Sequence, residues 1–175
     1  MAGHSKWAKL KHKKAITDAR KSKVFSKLLR FISVEAKKAK GDRSSPGLRT
    51  AVDKARAANV PSENIDRAID RASGESGELE PVSYEAYGPG GVALVIEGYT
   101  DSRNRTAQEI KHLLSTHGVA LAQPGAASWA FQRVEGKLEP TTTVEINDED
   151  GEKLVQLVDE LEEHDDINEV YTNAA

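Results

Sequence analysis

The sequence has no cysteine among its 175 residues, and its aromatic residues are only two Trp, four Tyr and three Phe. Without cysteine the chain has no disulfide framework, no thiolate zinc site and no cysteine nucleophile, which is consistent with a reducing compartment. No apolar run approaches the ~18 residues that a membrane-spanning helix needs. With so few aromatic residues, we expect a core built mainly from aliphatic side chains.

The start of the chain lacks acidic residues, because the first one is Asp18. The first 14 residues contain five lysines and two histidines, and charge interrupts the stretch that follows. A secretory signal needs an apolar segment there, so none is predicted, whereas an acid-poor organelle transit peptide stays open as an alternative. We expect a cytoplasmic protein.

The net charge of −3 hides a strong asymmetry between the two halves of the chain. Residues 1–72 carry 19 Lys and Arg against 7 Asp and Glu, a net of +12, whereas residues 73–175 carry 6 against 21, a net of −15. Opposite charges of this size predict two domains with different roles, of which the basic one faces a polyanion. We place the domains at 1–76 and 77–175, with the linker GESGELEP between them.

The basic half is predicted to form three helices. Apolar residues recur at helical spacing between Thr17 and Lys40, while Arg20, Lys23, Lys27 and Arg30 gather on the opposite side. Pro46 suits the first turn of a second helix with Ser45 as its N-cap, and Ser62 is the predicted N-cap of a third. Alanine-rich stripes on the second and third helices predict close packing.

The acidic half alternates strands and helices. After one extra strand, VSYEAY, the predicted order from Val92 is β-α-β-β-α-β, with strands VALVIEGY, ASWAFQR, TTTVEI and INEVYT. The predicted fold class is therefore α+β, a three-helix basic domain followed by a split βαβ, ferredoxin-like sandwich with one extra strand.

The strongest candidate for function is the basic arm that continues into the first helix. Residues 1–40 contain 11 Lys and 2 Arg but only two acids, and such a field attracts phosphate backbones. Trp7, His4 and His12 are side chains that stack on bases or hydrogen-bond to them in RNA-binding proteins. The plain alternative is a solvated helix face with a disordered tail, but one-sided charge continuous with an aromatic arm favours binding.

Other motifs give weaker indications. GPGG (88–91) lacks the Lys-Ser/Thr of a phosphate loop and precedes a strand, so a tight hairpin turn is predicted. Arg103, Asn104 and Arg105 stand at the predicted start of a helix, where Asp101 would act as the N-cap or pair with Arg105. His112 and His117 lie about 140° apart on a helix, and His164 is predicted to lie on a solvated acidic face. We predict no metal site, no cofactor and no catalysis.

The sequence resembles the YebC/PmpR family, which includes the mitochondrial translational activator of cytochrome oxidase. GHSKW and KHKK near the start, DKARAANVPSENIDRAI, GPGG followed by TDSRNRT, and the closing LVDELEEHDDINEVYTN carry the resemblance in order. It implies a non-enzymatic role in gene expression, either as a DNA-binding transcriptional regulator or in translation at the ribosome. The nucleic-acid-facing residues that it implies are Gly3, His4, Ser5, Lys6, Trp7, Lys11, His12, Lys13 and Lys14, with Arg103, Asn104 and Arg105 as a second set. Lys9 joins the first set as part of the same basic arm.

The chain departs from the family pattern in two places. FQRVEGKLEP leads almost directly into TTTVEINDEDGEKL, so a third module of roughly 65 residues is missing in comparison with the usual family member. Because the remaining elements still complete the β-α-β-β-α-β order, we expect an inserted domain to be absent and the fold to be intact. Ser102 also stands where the resemblance implies asparagine.

These observations together predict a translation factor that docks on ribosomal RNA and assists synthesis through difficult stretches. A DNA-binding transcriptional regulator is the alternative, although the lysine-rich helix face offers few side chains that read base edges. A protein that binds an anionic membrane surface and an enzyme acting at GPGG rank below these. The predicted partners are the ribosome and RNA, with DNA second, no membrane and no small-molecule substrate, and a monomer is slightly favoured.

Overall fold

The computed structural model describes Trp7 and residues 18–73 and 79–175, and of residues 18–20 only the backbone. The described chain forms two compact units. One contains residues 18–73, 79–80 and Tyr99–Asp101, and the other contains Trp7 with residues 81–98 and 102–175. The predicted domain boundary at 76/77 lies within 74–78, outside the described residues. None of the described helices is both long enough and apolar enough to span a membrane.

The helical unit consists of α1 (Asp18–Lys38), α2 (Pro46–Ala57) and α3 (Ser62–Ala72). Their apolar faces meet in one core, where Ile32, Leu48 and Ala51 are fully buried. The alanine stripes of α2 and α3 contribute to this core, where Ala55 and Ala72 are also buried. Gly41 follows α1 with φ +81°, and its N–H donates to the Ala36 carbonyl at 2.9 Å, which ends the helix as a glycine C-cap does.

The α+β class is confirmed. The elements that follow α3 are β1 (Glu80–Tyr87), β2 (Ala93–Thr100), α4 (Arg103–Thr116), β3 (Leu121–Ala122), β4 (Phe131–Val134), β5 (Lys137–Pro140), α5 (Asp148–Glu163) and β6 (Ile167–Thr172), with 3₁₀ turns at Pro89–Gly91 and Ser128–Ala130. The main sheet has the order β3-β1-β2-β6, and β4 pairs with β5 in a separate two-stranded sheet. The GPGG turn joins β1 to β2, with the Gly88 N–H donating to the Val92 carbonyl at 2.8 Å.

The main sheet is covered differently on its two faces. Leu94, Ile96 and Val170 lie in the core that includes buried residues of α4 and α5. Ala93 and Val95 lie in another core, together with Phe131 of β4. Neighbouring strand residues face opposite sides, so β2 contributes to both cores. Gly98 is required at the β-bulge in β2, because a Cβ atom there would lie 1.9 Å from the carbonyl oxygen of Asp166.

The predicted arrangement of strands was wrong in detail. TTTVEI is not a strand, because it makes only one isolated β-bridge, between Val144 and Ala174 near the C-terminus. Ser128–Ala130 is a 3₁₀ turn, so the strand predicted at ASWAFQR begins only at Phe131. The strand after it is Lys137–Pro140, which reaches β4 through a two-residue turn. The two middle strands therefore form their own hairpin instead of entering the main sheet.

Two predicted helix starts are shifted by one residue. The N-cap of α3 is Pro61, not Ser62, and the N-cap of α4 is Ser102, not Asp101; neither helix has a side-chain cap hydrogen bond. At α2 the predicted N-cap, Ser45, is confirmed in position but also makes no side-chain cap bond. Helix ends are uncertain by one or two residues, so shifts of this size are expected.

Candidate nucleic-acid interface

The predicted basic face of α1 lies opposite the side that packs in the helical core. Lys23 is exposed, and Lys27 and Arg30 are half-buried along the same helix. The side chain of Arg20 is not described. The other predicted residues of the arm lie outside the described residues: Gly3, His4, Ser5, Lys6, Lys9, Lys11, His12, Lys13 and Lys14.

A groove of about 430 Å³ runs between α1 and α3. On each helix its lining residues follow the spacing i, i+3, i+4, i+7, which places them on one face. The lining residues are Ser26, Leu29, Arg30 and Ser33 of α1 and Asn64, Arg67, Ala68 and Arg71 of α3. Three guanidinium groups thus border one groove, and only Arg30 among them was predicted.

The charges of α3 are divided between two faces of the helix. Arg67 and Arg71 line the groove, whereas Asp66 and Asp70 pair with Arg43, at 2.7 and 3.9 Å respectively. The sequence prediction did not include these two arginines, because the charge of α3 is almost balanced and its apolar stripe is the stronger pattern. The available signal was the repeated Asp-Arg dipeptide, since adjacent helical residues point about 100° apart.

Trp7 has a contact that its sequence context did not indicate. Its ring is partly buried and packs against the hydrophobic core of the α/β unit. The indole therefore contributes apolar contacts within this unit.

The second predicted set, Arg103, Asn104 and Arg105, begins α4, and all three residues are exposed. Arg105 donates from Nη2 to Oδ2 of Asp166 at 2.6 Å, and the Thr106 hydroxyl donates to the same oxygen at 2.6 Å. Asp166 is only 2% exposed. Asp101 was one predicted partner of Arg105, and Asp166 is a partner that the sequence did not indicate. Arg105 thus anchors the start of α4 to a buried carboxylate.

Glu109, His164 and Asp166 form a group whose ligand atoms lie within 4.8 Å of one another. The backbone N–H of Asp166 donates to Nδ1 of His164 at 3.1 Å, so the neutral ring carries its proton on Nε2, which lies 2.7 Å from Glu109 Oε2. Hydrogen bonds within the protein thus account for these atoms. The predicted solvated position of His164 was wrong, because its side chain is only 15% exposed.

A loop on the other face of the sheet is held by a buried carboxylate. Glu85 of β1 accepts hydrogen bonds from the backbone N–H groups of Gly125, Ala127 and Ser128 at 2.7–2.8 Å. Burial alone would raise the pKa of Glu85, but these bonds outweigh it and the net pKa is lowered. These hydrogen bonds therefore connect the loop 123–128 to β1.

The same loop positions an exposed tryptophan. The indole Nε1 of Trp129 donates to the Tyr87 hydroxyl at 2.8 Å and to the Ala126 carbonyl at 2.9 Å, and the Tyr87 hydroxyl itself donates to the Ala126 carbonyl. Trp129 is nevertheless 61% exposed. Its polar atom is satisfied, so the exposed part of the ring is apolar.

Comparison with known proteins identifies the family. The TACO1/YebC protein N-terminal domain matches residues 5–75, and the TACO1/YebC second and third domain matches residues 79–136 and 132–174. The chain belongs to the TACO1/YebC family. The matched N-terminal domain includes the whole α1–α3 groove, and the other match includes the α/β unit from β1 to β6.

Relatives of this TACO1/YebC protein share its sequence over almost its whole length. A protein from Chloroherpeton thalassium is 36% identical over 99% of this chain and 95% of its own, and one from Petrotoga mobilis is 46% identical over 98% of this chain and 70% of its own. Both are named "Probable transcriptional regulatory protein". The crystal structure of the conserved hypothetical protein Aq1575 from Aquifex aeolicus is 32% identical, with a TM-score of 0.83 over 98% of this chain and 97% of that one.

This member of the TACO1/YebC family is short, as predicted. The alignment with the Chloroherpeton protein runs over 237 positions although the chain has 175 residues, so about 60 positions of the relative have no counterpart here. The two matches to the second and third domain meet at 132–136. That range contains the end of β4 and the turn of the β4–β5 hairpin.

Proposed function

We propose that this protein is a non-enzymatic, nucleic-acid-binding regulator of gene expression that binds RNA through its helical unit. The observation that carries the proposal is the concentration of cationic groups on that unit, in the α1–α3 groove and along the face of α1. The names of the relatives support a regulatory role, and a regulator that acts on nucleic acid needs a surface of this charge.

Within that role, we place the protein in the cytoplasm, on ribosomal RNA, where it assists translation through difficult stretches. The charged face of α1 presents Lys23 and Lys27, which bind phosphates without reading base edges. Irregular single-stranded and looped regions are what proteins recognise in RNA, through backbone charge combined with stacking. The acidic α/β unit repels phosphates over most of its surface, so its role is to contact other components.

Fluorescence anisotropy with labelled nucleic acids tests this proposal. The probes are a structured RNA with single-stranded loops and a duplex DNA of the same charge. We expect the RNA to bind more tightly, and the affinity to fall by roughly 10³–10⁵ between 50 and 200 mM salt if six to ten phosphates are engaged. The proposal would be contradicted if neither probe bound above background, or if both bound equally and without dependence on salt.

A sequence-specific DNA-binding regulator is the second candidate, favoured by the names of the relatives. It predicts that a defined DNA sequence is protected at physiological salt. Footprinting on fragments selected from a genomic library distinguishes the two candidates, because the RNA proposal predicts no site-specific protection of DNA.

A further inference from the structure

We propose that the groove between α1 and α3 is a phosphate-binding site that holds the sugar–phosphate backbone of the bound nucleic acid through Arg30, Arg67 and Arg71. This inference rests on the proposed function and names the chemical group that this part of the interface recognises. It assigns a binding role to two arginines of α3 that the basic arm and α1 do not include.

The groove is open enough for a polymer to enter. Its volume of about 430 Å³ is in the range of ligand sites in proteins, and it is open to solvent and not an enclosed cavity. Leu29 and Ala68 are the apolar residues of its lining, and Ala68 has the shortest side chain there. Ser26, Ser33 and Asn64 add polar atoms beside the three arginines. A strand can therefore pass through while its phosphates contact the guanidinium groups.

The charge distribution around α3 favours an anion in the groove. The helix carries three acids, of which Asp66 and Asp70 lie near Arg43, at 2.7 and 3.9 Å, and do not line the groove. The third, Glu63, lies 2.7 Å from Arg67 Nη2, in an ion pair whose side chains are 82% and 53% exposed respectively. An exposed pair of this kind is weak, so a phosphate can replace the carboxylate as the partner of Arg67.

Arginine suits this site better than lysine. A guanidinium presents a planar fork of donors that matches two phosphate oxygens, whereas an ammonium acts as a point charge. Arg67 and Arg71 lie one turn apart on α3, about 6 Å along its axis, so they can contact different phosphates of the same strand. The site therefore predicts a requirement for arginine itself and not only for positive charge.

Four variants test the proposal with a labelled single-stranded RNA as the probe. Arg67→Ala/Arg71→Ala removes both guanidinium groups of α3, and Arg67→Lys/Arg71→Lys keeps the charge. Arg49→Ala/Arg56→Ala is the matched control, because both residues are exposed on α2 and neither lines the groove. Glu63→Gln removes the competing carboxylate. Far-ultraviolet circular dichroism confirms that each variant keeps its helices.

We expect Arg67→Ala/Arg71→Ala to weaken RNA binding at least about tenfold more than the control does and to reduce the salt slope by about 1.4, since each phosphate contact of a single strand contributes about 0.7. Arg67→Lys/Arg71→Lys should keep most of the slope but lose affinity. Glu63→Gln should bind as well as the wild type or better. If it instead reproduced the loss seen for Arg67→Ala/Arg71→Ala, the arginine effect would be structural and the proposal would fail.

Other results separate this inference from the proposed function. If the wild type binds RNA and Arg67→Ala/Arg71→Ala binds it with the same affinity and slope as the control, the groove proposal is overturned while RNA binding stands. Another outcome is that pyrophosphate raises the melting temperature of the wild type but not of Arg67→Ala/Arg71→Ala, while both bind RNA equally. The site would then take a free phosphate ligand, which also overturns the backbone proposal. If the wild type binds no RNA at 50 mM salt, the proposed function fails, and this inference with it.

Discussion

Glu85 is a single buried residue that determines the conformation of an exposed loop of the α/β unit. Its carboxylate is buried and is satisfied by three backbone N–H groups of the loop 123–128. Because all three partners are donors, an amide at this position would point an NH₂ group at an N–H. The residue therefore has to be an anion, although it lies in a strand of otherwise ordinary alternating pattern.

Glu85→Gln should lower the free energy of unfolding by about 1–3 kcal/mol, because it leaves buried donors poorly satisfied. Urea denaturation at neutral pH measures this, and Trp129 fluorescence reports on the loop that Glu85 holds. The matched control is Glu139→Gln on β5, which removes an exposed carboxylate and should change little. An effect no larger than that of the control would contradict the assigned role.

The effect of Glu85 also depends on pH. Its pKa is lowered in the folded state, so its contribution to stability is complete above the ordinary carboxyl pKa and is lost as the pH falls through the lowered value. The difference in stability between wild type and Glu85→Gln should therefore be constant above about pH 5 and should shrink below about pH 4.5. A difference that grew as the pH fell would have the wrong sign.

Arg105 of α4 pairs with a buried carboxylate, whereas Lys111 of the same helix is an exposed side chain. Arg105→Ala should destabilise the protein by about 2 kcal/mol, because it removes a charged partner from the buried Asp166. Lys111→Ala should cost less than about 0.5 kcal/mol, as is usual for an exposed side chain. Thermal unfolding of both variants tests this, and equal destabilisation would show that Arg105 is not the anchor of α4.

The two tryptophans show what composition cannot predict about single residues. Trp7 lies in a lysine-rich stretch, which favours an exposed stacking role, yet its ring packs against the core of the α/β unit. Trp129 lies in a stretch predicted as a strand, yet it is 61% exposed on a 3₁₀ turn. Burial depends on contacts with residues distant in sequence, which local periodicity does not contain.

At the scale of elements, long periodic segments were predictable and short ones were not. The five helices and the strands β1, β2 and β6 follow from apolar spacing, because each buries one stripe or face over many residues. The β4–β5 hairpin was missed because its strands have only four residues each and its signal is the turn itself. Glu135 and Gly136 both have positive φ, +49° and +83°, as a two-residue type I′ turn requires.

Glu135→Asn should therefore stabilise the protein by about 0.5 kcal/mol, since asparagine tolerates positive φ better than glutamate does. Gly136→Ala should destabilise it by about 1–2 kcal/mol; no atom lies within 4 Å of the added Cβ, so only backbone strain contributes. Melting temperatures provide the measurement. Glu135→Gln is the control, because it removes the same charge without favouring the turn, and a gain as large as that of Glu135→Asn would assign the effect to charge.

The α1–α3 groove also belongs to this scale, and the sequence predicted only half of it. The cationic side of α1 was visible because its charges are almost all of one sign. On α3 the positive and negative residues nearly balance, and only the helical arrangement directs Arg67 and Arg71 to one face while Asp66 and Asp70 pair with Arg43. Assigning the groove therefore required knowing which helix faces pack together.

At the scale of the whole molecule, charge asymmetry is the property that the sequence defines best. Residues 1–72 carry a net +12 and residues 73–175 a net −15, and the described parts of these halves correspond largely to the helical and α/β units. The chain also lacks about 60 positions present in relatives. The α1–α3 groove and the basic face of α1 lie within the matched N-terminal domain, so the missing segment does not interrupt them.

Co-sedimentation with ribosomes tests the central claim most directly. The wild-type chain and a variant that lacks residues 2–14 are centrifuged with ribosomes through a sucrose cushion at 50 and 200 mM salt. We predict that the wild type pellets with ribosomes at 50 mM salt and is largely released at 200 mM, and that the truncated variant pellets less at 50 mM. A wild type that stays in the supernatant at 50 mM salt, with no change on truncation, would contradict the account.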